Sequence, residues 1–246
     1  MPLLKNAVIS RLQKDILQWE GYRPPEAGKH TPMGLGVIEQ SFPNNIFPTG
    51  TVHEVLCANT EQATAGSAFI SALLAKLMQQ GGVCLWIGLS GNINPSALKA
   101  FGVDADRIIF INVLNDQDVL WATEEALKCP GLVMTIAEVR DLNFKQSRRL
   151  QLAVEQSRVT GFILRNQAEK LTPTACAARW QISPLPSTPE DGLPGLGFPR
   201  WRVELLKVRN GQPGCWEMEW ANGKFNVVEQ TRVEQKPAEY RQLMAG

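Results

Sequence analysis

Short apolar runs alternate with amphipathic stretches through the middle of the chain. The runs that have the length and apolar content of strands buried on both faces are 51–56, 83–87, 107–111, 132–136 and 161–164. The stretches with a helical period between them are 68–75, 118–128 and 143–157. Apolar strands that alternate with helices predict a mainly parallel sheet flanked by helices. The pattern therefore predicts an α/β fold, in which a ligand would lie at the carboxyl ends of the strands.

The N-terminal stretch has the clearest helical period of the chain. Its apolar residues fall within an arc of about 100°: Val8, Ile9, Leu12, Ile16 and Trp19. We predict an amphipathic helix that either packs on the core of its own chain or serves assembly, by docking on a neighbouring subunit or partner. The following residues, 25–43, are rich in proline and glycine and predict an extended linker.

The C-terminal part of the chain changes to an alternating pattern. Proline and glycine are concentrated in 184–199, which predicts a linker. Residues 201–207 and 215–220 then alternate apolar and polar side chains around a turn that contains glycine, so they predict a β-hairpin. Beyond Asn222 the polar chain predicts a tail with no core of its own, whose apolar anchors would bind a partner. These anchors are Phe225, Val227, Val228 and Tyr240.

Composition and charge narrow the classes of function. Lys and Arg number 25 against 24 Asp and Glu, so a net charge of +1 provides no global attraction to nucleic acid or to an anionic membrane. The cysteines stand far apart, which favours reduced core thiols over disulfides or a zinc site. No apolar run approaches the roughly 20 residues of a membrane span. We therefore expect a cytoplasmic protein without a metal, in which any DNA contact comes from a local patch.

The turn after the first predicted strand occupies the position of a phosphate-binding loop. That loop has the motif G-x-x-x-x-G-K-[ST], whose backbone N–H groups and lysine bind phosphates and whose hydroxyl binds Mg²⁺. The same frame here reads C-A-N-T-E-Q-A-T, so Cys57, Gln62 and Ala63 replace the glycines and the lysine, and only Thr64 remains. Glu61 adds a carboxylate that would repel a phosphate. We predict a degenerate nucleotide loop, no cofactor, and a function in binding.

Several runs, taken in order, resemble the ImuA family, the RecA-like accessory proteins of bacterial mutagenic translesion synthesis. They are PTGTVHE at 48–54, AFGVD at 100–104, LWATEEA at 120–126, SRRLQLA at 147–153, ARW at 178–180 and PRWRVEL at 199–205. No single run is diagnostic, but the ordered set covers most of the chain. The resemblance implies a RecA-like fold and a protein of the SOS response to DNA damage, associated with the nucleoid when active.

The same resemblance implies the partners and tests the chemistry. The partners would be ImuB, which is a Y-family polymerase-like protein, an error-prone replicative-type polymerase, and RecA. Where RecA proteins keep a water-activating glutamate, this chain has 88–90, GLS, and Ala137 stands in the place of the magnesium-linked aspartate. We expect the adjacent Glu138 to point elsewhere, because side chains alternate in direction along a strand. No catalytic residue is assigned, since phosphoryl transfer needs these groups.

A local excess of basic residues marks 140–165, where six Lys and Arg face two acidic residues, a net +4. Lys145, Arg148 and Arg149 share one face of the predicted helix. In the RecA arrangement this helix follows a loop that contacts single-stranded DNA, so a weak and salt-sensitive DNA contact is one interpretation. A solvated helix face is the other, although Leu152 within the basic face favours a covering protein surface.

The aromatic and histidine side chains favour structural roles. His30 and His53 lie in different segments and form no convincing catalytic pair, so His53 is expected to be a structural strand residue. A group of tryptophans either stacks on bases or, as is more usual on hairpins, fills the seam between sheet and helix. This group consists of Trp180, Trp201, Trp216 and Trp220.

These observations lead to one preferred prediction and two alternatives. The prediction is a RecA-like core at 44–186, an N-terminal helix and linker at 1–43, and a linker, β-hairpin and tail at 187–246, acting as a non-catalytic scaffold that could also self-associate. The first alternative is a cell-division inhibitor of the SulA type, which binds the tubulin-like division protein, but that family lacks a counterpart of 199–246. The second is a RecA-like ATPase with an irregular phosphate loop.

Overall fold

The computed structural model describes residues 32–89, 95–166, 172–187 and 197–231. The predicted N-terminal assembly helix lies outside the described residues, with Val8, Leu12, Ile16 and Trp19, and so do His30 and Tyr240. None of the helices described is long and apolar enough to cross a membrane.

The strands of the described chain form one sheet. They are β1 Val52–Cys57, β2 Val83–Gly88, β3 Ile108–Asn112, β4 Leu132–Val139, β5 Thr160–Asn166, β6 Ala178–Leu185, β7 Arg200–Val208, β8 Gly214–Ala221 and β9 Lys224–Thr231. Their order across the sheet is β3-β2-β4-β5-β1-β6-β7-β8-β9. The strands β1 to β6 pair in parallel, and β7 to β9 continue the sheet in antiparallel pairing. The mainly parallel sheet and the β7–β8 hairpin that the sequence predicts are confirmed.

Helices cover both faces of this sheet, as the alternation predicts. The helices are α1 Thr60–Met78, the single turn α2 Pro95–Leu98, α3 Asp116–Leu127 and α4 Phe144–Ser157. On one face, α1 contributes Phe69 and Leu73 to a cluster that also holds Val55. On the other face, α3 and α4 pack on Val52 and Ile163. The central strands β1 and β5 are thus buried from both sides, which explains why their sequences are mostly apolar without alternation.

Strand β6 was not predicted, although it joins the parallel and antiparallel parts of the sheet. Pro184, which the sequence analysis assigned to a linker, lies inside it. The strand tolerates this proline because its pairing with β1 covers only Ala178 to Gln181, so Pro184 lies beyond the doubly paired part. The buried side chains of Trp180 and Ile182 alternate with partly exposed ones, a short period-two signal in the sequence.

The predicted extended linker is wrong for residues 33–43. Residues 33–47 form the two short 3₁₀ helices Gly36–Ser41 and Pro43–Asn45, and they pack into the core beside α1. The buried apolar side chains of this segment are each at most 3% exposed: Met33, Leu35, Ile38, Phe42 and Phe47. Gly34 and Gly36 have φ values of 72° and 59°, a left-handed conformation that lets the chain turn between these anchors. Glycine here serves folding rather than a flexible connection.

The predicted polar tail is also wrong for residues 224–231, which form the edge strand β9. The turn from β8 into β9 contains only Asn222 and Gly223, with φ values of 54° and 70°. Positive φ at both positions fits the two-residue turn that matches the twist of a hairpin, and Asn-Gly is its preferred sequence. Phe225 is 8% exposed and lies 4.9 Å from the ring of Trp220, so it belongs to the core.

Candidate functional site

Helix α1 begins where a phosphate-binding loop would lie, and the connection is far shorter than such a loop. β1 ends at Cys57 and α1 begins at Thr60, so only Ala58 and Asn59 join them. Asn59 caps the helix, because its Oδ1 accepts the backbone N–H of Gln62 at 2.8 Å. The Gln62 side chain in turn accepts the Ala58 N–H at 2.9 Å. The predicted degenerate loop is therefore a tight turn in which the backbone N–H groups of Ala58 and Gln62 are bonded to side chains of the turn itself.

Gln62, Ala63 and Thr64 of the motif frame lie on helix α1 itself. Gln62 also donates from Nε2 to the Ser183 hydroxyl of β6 at 3.1 Å, which fixes the helix start to the sheet. The Thr64 hydroxyl donates to the carbonyl of Thr60 at 2.9 Å, an ordinary local bond within a helix. Ala63 supplies no charge. The structure thus gives Gln62 and Thr64 local structural partners.

A cavity of about 590 Å³ lies beside the first half of α1, at the carboxyl ends of the parallel strands. Thr64 and Ser67 line its helical side and Phe101 lies on the opposite wall, while Glu138 and Asn166 close it at the ends of β4 and β5. No lysine or arginine is among the described residues that line it. Within the described chain, no cluster of three or more His, Cys, Asp or Glu could hold a metal ion.

The expectation that Glu138 points away from this site is wrong. Glu138 faces the cavity, and Ala137 is buried against the helices of the opposite face. Alternation along β4 was expected correctly, but the sequence does not say which of the two positions faces α1. Trp86 Nε1–H donates to Glu138 Oε1 at 2.8 Å. Burial raises the pKa of Glu138, and the hydrogen bonds from Trp86 and Asn166 oppose that shift.

His53 lies in the core of the sheet. Its ring stacks between Phe47 and Phe162, with both centroids 4.8 Å away. Its Nε2 donates to the carbonyl oxygen of Pro48 at 2.7 Å, and its Nδ1 accepts the Trp180 indole N–H at 3.3 Å. Burial lowers the pKa of His53 from 6.5 to about 4, against a smaller opposing effect of the Pro48 bond. A neutral structural histidine is the result.

A buried ion network beside His53 was missed by the sequence analysis. Glu54 has no exposed side-chain surface, and it accepts from Arg165 at 3.0 Å and from Arg179 at 2.9 Å. The Thr174 hydroxyl donates to the same carboxylate. Arg165 also reaches Asp141, at 2.6 Å. Arg165, Thr174 and Arg179 lie more than a hundred residues from Glu54 along the chain, so no local pattern reveals them. The two arginines tie β1, β5 and β6 together.

The basic residues predicted for DNA contact lie on the outer face of α4. Lys145, Arg148 and Arg149 are all exposed, as the helical spacing predicts. Arg149 is already paired, because its Nη2 lies 2.5 Å from Oε2 of Glu124 on α3. Asn143 and Gln146 start the helix with a reciprocal capping box, in which each side chain accepts the other's backbone N–H at 2.9 Å. Contact of these three side chains with DNA stays a prediction.

The tryptophans that were candidates for base stacking are buried. Trp180, Trp201, Trp216 and Trp220 are between 0% and 5% exposed, and they fill the seam between the sheet and α1 with its neighbouring aromatic rings. Among the described tryptophans, the exposed indole is that of Trp121 on α3, at 65%, which was not predicted to have a functional role. A signal existed, since Trp121 falls opposite the buried Val119, Thr123 and Ala126 on a helical wheel.

The predicted partner-binding anchors at the C-terminus divide between core and surface. Phe225 is buried and Val227 is partly buried against the same cluster, whereas Val228 is 51% exposed on β9. Partner binding by this segment stays a prediction, but it would now use an edge strand of the sheet rather than a tail. An edge strand offers unpaired backbone groups to a partner strand.

Comparison with known proteins gives the following relatives. No family model matches the chain. Over 208 residues it is 33% identical to Protein ImuA of Caulobacter vibrioides, in each of two strains, and the alignment covers 78% of this chain and 85% of that protein. The crystal structure of the RadB recombinase matches with a TM-score of 0.54 at 11% identity, covering 81% of this chain and 100% of that one. This structural likeness shows that the fold is that of the RecA-like recombinases.

Proposed function

The chain belongs to the ImuA family, and from this premise we propose that it is a non-catalytic accessory protein of mutagenic translesion DNA synthesis. It acts as a scaffold for an ImuB-type, Y-family polymerase-like partner and an error-prone replicative-type polymerase, with RecA as a further partner. The observation that carries the proposal is the closed start of α1. There two backbone N–H groups that a nucleotide-binding relative would offer to phosphate are bonded within the chain, that of Gln62 to the Asn59 side chain and that of Ala58 to the Gln62 side chain.

Electrostatics at the cavity support a role without ATP. A bound triphosphate would carry several negative charges, and the described lining offers the carboxylate of Glu138 and no lysine or arginine. Phosphate sites in proteins of this kind combine open backbone N–H groups with a lysine and a metal ion. Without these groups, Coulomb repulsion and desolvation both oppose phosphate binding. We therefore infer that the chain keeps the RecA-like fold and functions by binding protein partners rather than ATP.

Two measurements on the full chain test the proposal. The first is a titration with a fluorescent ATP analogue and Mg²⁺, for which we expect no saturable binding. The second is co-purification with the ImuB-type protein, for which we expect a stable complex. Magnesium-dependent binding that disappears in Thr64→Ala would contradict the proposal and favour the alternative of an ATPase with an irregular loop. Absence of any complex with the polymerase-like protein would remove the scaffold role.

A further inference from the structure

Large apolar side chains lie exposed on two neighbouring helices of the same face. Trp121 on α3 is 65% exposed, and on α4 Phe144 is 58% and Leu152 is 47% exposed. Phe144, Arg148 and Leu152 recur at intervals of four residues, so they are neighbours along one row of α4. A cluster of this kind on a protein surface marks a site of interaction more often than an isolated exposed leucine does.

A groove runs between the two helices next to Trp121. Its volume is about 260 Å³, and Leu120 and Trp121 of α3 face Gln146, Arg149 and Leu150 of α4 across it. Sites for small molecules usually have volumes of about 300–1,000 Å³ and enclose most of the ligand. This groove is smaller and partly apolar. It has room for one side chain of a partner, beside a tryptophan and an arginine of the kind that dominate protein interfaces.

The charges of the groove and of the outer face of α4 beside it define the partner's chemistry, and of the basic residues of α4 only Arg149 lines the groove itself. Arg149 is neutralised by Glu124 at 2.5 Å, and Arg140 by Asp116 at 3.2 Å. Lys145 and Arg148 are exposed on α4, and neither forms an ion pair with any residue that the structure describes. Carboxylates of a partner would complement these two cations.

We propose that this α3–α4 surface, formed by Trp121, Phe144, Lys145, Arg148, Arg149 and Leu152, docks a protein segment that carries carboxylates and a large apolar side chain. The apolar side chain occupies the groove beside Trp121, and the carboxylates pair with Lys145 and Arg148. The inference rests on the proposed function, because it assigns one surface of the scaffold to a protein partner.

Protein fits this surface better than single-stranded DNA does. Two unpaired cations would neutralise about two phosphates, which gives a salt slope of only about −1.4 and hence weak binding. Leu152 gains by burial against an apolar side chain but gains nothing from a phosphate backbone. DNA is therefore the competing outcome of the test.

The test measures binding of the purified ImuB-type protein to the full chain by biolayer interferometry. Trp121→Ala and Arg148→Glu should each weaken binding by about tenfold or more, because the first removes the apolar wall of the groove and the second turns an attractive charge into one that repels the partner's carboxylates. Trp121→Phe should restore much of the affinity. The matched controls are Leu206→Ala, an apolar residue 39% exposed on β7, and Lys99→Glu, an exposed cation near α2; we expect less than about twofold change from either.

The outcomes separate this inference from the proposed function. If the wild-type chain binds the polymerase-like protein and the Trp121 and Arg148 variants bind it equally well, the α3–α4 surface is not the docking site, but the scaffold role stands. If the wild-type chain does not bind it, both proposals fall. The same variants are assayed with a labelled oligo-dT strand and by sedimentation. A loss confined to the strand would assign the surface to DNA, and a loss confined to self-association would assign it to a second copy; either overturns the proposal.

Discussion

The start of α1 and the outer face of α3 and α4 differ in whether their polar groups have bonding partners within the chain. At the start of α1, Asn59 accepts the Gln62 backbone N–H, while the Gln62 side chain accepts the Ala58 N–H and fixes the helix to β6. On the outer face, Lys145 and Arg148 have no ion-pair partner in the described chain, and the indole of Trp121 is 65% exposed. Groups that are already bonded have little to offer a ligand, whereas unpaired ones gain by binding. In this RecA-like chain, binding is therefore to be sought on a helix face.

The largest expected effect is on folding stability, and it compares a buried arginine with an exposed arginine on that same side of the sheet. Arg165→Ala removes one of the cations that neutralise Glu54, whose side chain is fully buried. It should lower the free energy of unfolding by about 3–5 kcal/mol, because the buried carboxylate then keeps only one of its two cationic partners, Arg179. Arg148→Ala should leave stability unchanged. Urea denaturation at pH 7 measures both. Equal urea midpoints for the two variants would mean that Arg165 contributes no more to folding stability than the exposed Arg148 does.

The second prediction compares the contributions of two apolar residues of β9 to folding stability. Phe225 packs against Phe69, Trp201 and Trp220, so Phe225→Ala should cost about 3–5 kcal/mol through lost burial and the cavity left behind. Val228 is 51% exposed, and Val228→Ala should change stability little. Thermal unfolding of the two variants gives the answer. If Phe225→Ala melts with the wild type, the segment is a tail after all and the C-terminal anchors are available to a partner.

The third effect depends on pH and concerns the neutral ring of His53. Its pKa in the folded state, about 4, lies below the unfolded value of 6.5. Below pH 6.5 the unfolded chain therefore binds a proton that the folded chain does not. Stability from this residue is fully present above pH 6.5 and declines by about 3 kcal/mol as pH falls to about 4.

The variant His53→Gln isolates this contribution. It keeps an N–H donor for Pro48 but does not titrate, so the difference in unfolding free energy between it and the wild type should shrink on acidification. Urea unfolding at intervals between pH 7 and pH 4 follows the difference. A constant difference across this range would mean that folding does not lower the pKa of His53.

Sequence predicted those parts of the molecule whose information is local. Strands buried on both faces, such as β2, are apolar runs, and α4 combines a helical period with the capping pair Asn143 and Gln146. The hairpin of β7 and β8 follows from alternation around glycine. The strand β9 was predictable as well, because Asn222-Gly223 is the preferred two-residue turn, but the polar residues beyond it concealed the strand.

Other features depend on contacts between distant segments. The orientation of β4, which places Glu138 rather than Ala137 in the cavity, is fixed only when α1 settles on one face of the sheet. The partners of Glu54 come from other strands. The groove beside Trp121 requires both α3 and α4. Periodicity can indicate that a residue is exposed, but it does not say which neighbours share the exposed surface.

The smallest expected effect compares the caps of the two regions. Asn59 caps α1 and Asn143 caps α4, and each side chain accepts a backbone N–H three residues on, at 2.8 and 2.9 Å. Replacing either by Ala should cost about 1 kcal/mol of stability, since the backbone N–H of Gln62 or of Gln146 then loses its acceptor.

The two replacements should differ in their effects on binding. Asn143→Ala loosens the first turn of α4, which carries Lys145 and precedes Arg148, and should weaken binding of the polymerase-like protein. Asn59→Ala should leave that binding intact and should still bind no ATP analogue, because removal of a cap leaves Ala63 in place of the lysine. Denaturation, interferometry and nucleotide titration on the same two variants decide the matter. Loss of partner binding in Asn59→Ala alone would move the docking site from the α3–α4 surface to the cavity beside α1.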